Sequence, residues 1–179
     1  MRRSVVLGAC LAALALPAAV SAMLAAPGDG SLVVRNASGP RSGNAPVVAL
    51  TITGAAFGHV DQGHILIDDP TPTNGATPEV TAGTGLLWRK DSTVSDTAQI
   101  WGGTDFKFRA VGGKYTILIY GSGVDVVVLG TGTVTLTGLA DDPHNDGTYS
   151  LNGKAWVSLP GVASKQLTIG SPTPTSSNG

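Results

Sequence analysis

Apolar and polar residues alternate along most of this chain. Val48, Leu50 and Ile52 are separated by Ala49 and Thr51, and Thr53 follows. Phe106, Phe108 and Ala110 alternate with Lys107 and Arg109. Tyr115, Ile117 and Ile119 continue the pattern, as do Val134 and Leu136 between Thr133, Thr135 and Thr137. Leu167 and Ile169 close the series. A period of two with β-branched and aromatic residues predicts half-buried strands. No window after residue 22 carries a helical period. Twenty-five Gly and eleven Pro punctuate the strands at short intervals. The expectation is therefore an all-β fold, an antiparallel β-sandwich or jelly-roll-like domain over residues 31–170.

A weak internal repeat accompanies the strands. Gly54 and Gly63 are nine apart and precede His64-Ile65-Leu66-Ile67. Gly123 and Gly132 have the same spacing and precede Thr133-Val134-Thr135-Leu136. The match sets Ile65 on Val134 and Ile67 on Leu136. It fits two similar strand units, and it fits mere likeness of Gly- and Val-rich strands. Residues 71–103 between the copies are polar and varied, with room for short edge strands.

The N-terminus follows a different rule. Arg2 and Arg3 precede an apolar run from Val5 to Leu16, broken by Pro17, and Val20-Ser21-Ala22 supplies small residues before a cut. This predicts a signal peptide over residues 1–22, cleaved near Ala22, and a product secreted to the cell envelope or beyond. The run is too short to span a bilayer, and no later segment is a membrane span. Residues 23–30 read as a flexible lead and 171–179 as a disordered tail. The sole cysteine, Cys10, leaves with the signal, so packing must stabilise the product.

Charge narrows the partners. Losing Arg2 and Arg3 leaves nine basic residues against twelve acidic ones. A slightly acidic chain without a basic patch predicts no nucleic-acid partner. Eleven of the acids are Asp, and Glu79 is the single Glu, a bias toward turns and away from helices.

Three groups of residues are candidates for chemistry. If Gln62-Gly63 turns a two-residue hairpin, Asp61 and His64 oppose each other and His59 shares their face. Two imidazoles and a carboxylate would suit a divalent metal. Solvent-facing polar positions on a strand give the same spacing. Asp141, Asp142, Asn145 and Asp146 gather oxygen donors of the kind calcium takes, though without EF-hand spacing and in residues that also form turns. Trp88 and Trp101 offer stacking surfaces for a sugar ring if exposed. No Gly-x-Ser-x-Gly elbow, phosphate loop or paired catalytic carboxylate stands out.

The phrases Phe106-Lys107-Phe108-Arg109-Ala110-Val111-Gly112-Gly113, Gly132-Thr133-Val134-Thr135-Leu136-Thr137-Gly138 and Asp146-Gly147-Thr148-Tyr149-Ser150-Leu151-Asn152-Gly153 resemble segments of small secreted β-rich proteins from high-GC bacteria. The resemblance implies a fold of that kind and carries no activity or functional residue. The functional expectation is an exported non-enzymatic β-domain without a cofactor, facing a glycan or protein surface. The alternative is an exported metal-dependent hydrolase using His59, Asp61 and His64.

Overall fold

The computed structural model describes residues 28–39, 45–73, 75–90, 94–139 and 146–171. The expected signal peptide, most of the lead, most of the tail and residues Asp141, Asp142 and Asn145 lie outside the described residues. Every regular element among those described is a strand: β1 (Gly30–Ala37), β2 (Val48–Asp68), β3 (Ala76–Lys90), β4 (Ala98–Leu136), β5 (Thr148–Leu151), β6 (Val157–Ser158) and β7 (Lys165–Ile169). All their pairings are antiparallel. They form one sheet in the order β2-β4-β1-β5-β6, with β3 and β7 also on β4. The fold is all-β and sandwich-like, as the alternation predicts.

Two strands are much longer than the sequence pattern suggests. β4 runs for 39 residues. Straight, it would extend roughly 130 Å at about 3.3 Å per residue. A compact domain of this size has a radius of gyration of about 14 Å. The strand must coil, and its pairing shows how. β2 has β4 on both sides: Leu50 faces Ile117 on one flank and Val134 on the other, and Ile65 faces Trp101 and Ile119. β4 thus wraps β2 between its two halves, and the sheet folds over onto its own inner face.

The inner face carries the predicted apolar sets. Val48, Leu50, Ile52, Phe106, Phe108, Tyr115, Ile117, Ile119, Val134, Leu136 and Ile169 are buried in one cluster with Leu32, Val34, Val124, Val126 and Val128. Even-numbered residues point inward at Phe106, Phe108 and Ala110, and odd-numbered ones at Tyr115, Ile117 and Ile119. Gly112 makes the switch. It is the extra residue of a bulge, because Val111 pairs Ala55 while Gly113 pairs Gly54. Its φ of 78° suits glycine and few others.

Two local expectations change. Gln62-Gly63 is no hairpin: β2 continues through it, with Gln62 opposite both Thr104 and Ser122. Residues 71–103 hold more than short edge strands, since β3 spans 15 residues and pairs with β4 from Ala76↔Val111 to Lys90↔Gln99. The connection back to β4 is tied to the end of β2. The Ser95 and Thr97 hydroxyls both donate to one Asp68 carboxylate oxygen, the latter at 2.6 Å.

Candidate functional site

His59 lies on the outer face of β2, between Lys107 and Asp125 on the flanking stretches of β4. Its Nε2 is 2.8 Å from a carboxylate oxygen of Asp105, and its Nδ1 is 3.6 Å from one of Asp61. The Asp61 carboxylate lies over Gly123, where any Cβ would collide with it. Asp105 holds a left-handed backbone, φ 50°. His59 thus sits between two carboxylates.

His64 does not join them. With no hairpin at Gln62-Gly63, its ring stacks on Tyr120 instead, centroids 4.4 Å apart and planes within 10°. The structure brings His59 to Asp61 and sends His64 elsewhere. Asp105 stands at the opposite ring nitrogen from Asp61, and among the described residues no three such side chains are placed to hold one metal ion together. The sequence holds no local signal for Asp105, because it reaches His59 only through the β2–β4 register.

The acidic loop is described only at Asp146. That residue is buried, and its carboxylate accepts the Leu139 N–H at 2.8 Å. Its carbonyl accepts the Ser38 N–H at 3.1 Å. Asp146 therefore ties two loops to the start of β5.

The aromatic expectations divide. Trp101 pairs with Trp88 along the backbone, but its own ring is only 7% exposed and belongs to the core. It is closed to a sugar. The Trp88 side chain lies outside the described ones; among those described, the exposed indole is Trp156, at 46%, with the Arg35 guanidinium 4.6 Å from its ring centroid. Strand pattern could not separate these rings, because exposure depends on which sheet edge each one occupies.

The most regular outer surface is made of threonine. Thr116, Thr51, Thr133 and Thr168 form one cross-strand row over four adjacent strand segments. Thr53 and Thr131 form the next row with Lys114, and Thr135 flanks on the other side. Neighbouring strands place such side chains about 4.8 Å apart, and alternate residues along a strand roughly 6.7 Å apart. A groove of about 370 Å³ opens here, lined by Thr51, Thr53, Lys114, Thr131, Thr133 and Thr168. Each hydroxyl offers one donor and two acceptor positions, and each methyl a small apolar contact. The array can meet a ligand that presents hydroxyls at regular intervals.

No family model, curated protein or solved structure matches the chain. A functional reading therefore rests on the residues themselves. A larger hollow of about 520 Å³ lies near Asn152 and Gly170, but its Asn152 side-chain oxygen already accepts the Ser31 N–H at 2.9 Å. Among the described residues, no helix is long and apolar enough to cross a membrane.

Proposed function

We propose that the chain is an exported β-domain that works by binding, without catalysis, and that its ligand is a glycan at the cell envelope. Export is supported by the basic, apolar and small-residue order of residues 1–22. One observation carries the binding reading: the threonine rows of β2, β4 and β7 with the groove among them. A neutral polyhydroxylated chain matches this surface, since Lys114 is the one charged group lining the groove. The test is co-sedimentation of the purified secreted protein with cellulose, chitin and bacterial cell-wall polysaccharide. Retention on at least one of these, lost in a Thr51→Val/Thr133→Val double variant of unchanged melting temperature, supports the reading. Release from all three, or undiminished retention of the variant, removes it.

The alternative is an exported hydrolase with a divalent metal, and the one observation behind it is that His59 has a carboxylate near each ring nitrogen, Asp61 at Nδ1 and Asp105 at Nε2. Elemental analysis of the secreted protein separates the two. Stoichiometric metal that is lost in His59→Ala supports the hydrolase, and sub-stoichiometric metal counts against it.

A further inference from the structure

The sheet has an open edge at β6, and the residues beside it are those of an anchor. β6 is last in the order β2-β4-β1-β5-β6, and no described strand pairs with its outer side. The Leu159 N–H donates to the Gly147 carbonyl at 3.0 Å, so the next pair inward, Thr148 and Ser158, is the non-hydrogen-bonded one. The N–H and C=O of Ser158 therefore point away from β5, toward the open side. Pro160 has no N–H and ends the usable run.

The side chains on this edge have a specific chemistry. Arg35, Thr148 and Ser158 form one cross-strand row, and Trp156 precedes Ser158 by two residues on the same face. Trp156 and Val157 are 46% and 45% exposed. The Arg35 guanidinium is held over the indole and has no carboxylate within ion-pair distance among the described residues. A guanidinium lying over an aromatic face can still offer its N–H edge to a partner. That suits a planar anion met by a two-point hydrogen bond. Exposed Trp and Arg are also the residue types most enriched at binding hot spots.

We propose that this edge takes a short extended peptide segment of a partner protein by strand addition, with a partner carboxylate on Arg35 and an apolar partner side chain on Trp156. Main-chain pairing to Ser158 supplies the alignment, and the two side chains supply the selectivity. An acidic residue suits this edge, where Arg35 stands in the row of Ser158 and the Lys165 ammonium lies over Tyr149, the partner of Val157. The site is separate from the threonine face, so either can fail alone.

The experiment is selection of a displayed random octapeptide library on the full secreted chain, followed by anisotropy titration of the enriched peptide made synthetically. The expected result is Asp or Glu fixed at one position with apolar residues alternating around it. Arg35→Gln and Trp156→Ala should each weaken binding by about tenfold or more, at unchanged melting temperature. N-methylation of the peptide backbone on alternate residues should abolish binding in one phase only. Thr51→Val/Thr133→Val should leave it intact. No enrichment, enrichment without a carboxylate, or unaltered binding by Arg35→Gln overturns the proposal. So does self-association of the chain that Trp156→Ala abolishes, which would make the edge a homotypic interface. Competition for Trp156 by a neutral oligosaccharide overturns it as well.

Discussion

Gly63 lies directly opposite Gly121, and neither has room for a side chain. A Cβ on Gly63 would run into the Tyr120 carbonyl oxygen, and one on Gly121 into that of Gln62. Gly54 and Gly130 repeat the arrangement nine residues away on both strands. The obstacles are backbone atoms, which cannot swing aside as a long side chain can. The prediction is that Gly63→Ala and Gly121→Ala each destabilise the protein by more than the roughly 1 kcal/mol of an ordinary Gly→Ala mismatch. Pairing the two changes should not rescue either. Urea unfolding of the two single variants and the double variant checks this.

These glycines also mark where the sequence could be read and where it could not. The apolar sets at Val48–Ile52, Phe106–Ala110, Tyr115–Ile119 and Val134–Leu136 were legible because each faces the core with a period of two. The glycines between them read as strand breaks, since glycine is a usual turn residue. Here they are bends inside continuous strands, at points where two backbones approach too closely for a Cβ. The nine-residue spacing was visible, and the register gives it a physical counterpart. It sets Gly54 opposite Gly130 and Gly63 opposite Gly121 in an antiparallel ladder. The same limit hid the outer face. His59 meets Asp105, and Arg35 meets Trp156, only through register and sheet order.

Tyr115 is fully buried, and its hydroxyl donates to the carbonyls of Val111 at 2.9 Å and Ala76 at 3.2 Å. It bridges the bulge at Gly112 to the start of β3. Burial, then the nearby charge of Asp69, pushes its pKa above the usual 10.0. In the unfolded chain the phenol ionises near that usual value, so the unfolded state gives up its proton first. The stability contributed by the neutral phenol is complete below about pH 10. It then falls as the pH rises from there through the folded-state value. Tyr115→Phe should flatten this alkaline loss while costing about 1 kcal/mol at neutral pH for the lost hydrogen bonds. Thermal melts of both proteins across the alkaline range read both effects.

Asp146 is 1% exposed and holds Leu139 in place by accepting its N–H. Gly138 lies so close that a Cβ there would meet the same carboxylate. Asp146→Ala should cost on the order of 1–3 kcal/mol, because the Leu139 N–H loses its acceptor and a small void opens around a residue that is 1% exposed. The structural role makes a specific statement about calcium. If Asp146 serves packing, added calcium leaves the melting temperature of the wild type unchanged. If it serves a cation with the neighbouring acids, calcium raises that temperature and Asp146→Ala removes the rise.

Asp105 shows whether the His59 cluster is retained for stability. Its carboxylate is 71% exposed and that of Asp61 67%, so the ion pairs with His59 are surface pairs, worth about 0–1 kcal/mol at most. Against this stands a left-handed backbone at Asp105, φ 50°, which glycine adopts without penalty and a β-branched residue resists. On stability alone, Asp105→Gly should be neutral or stabilising by up to about 1 kcal/mol, and Asp105→Val clearly destabilising. Differential scanning calorimetry of the two variants decides the matter. A neutral or higher melting temperature for Asp105→Gly means that the fold has no need of this carboxylate. A marked fall for Asp105→Gly would assign the His59–Asp105 contact to holding β2 and β4 together.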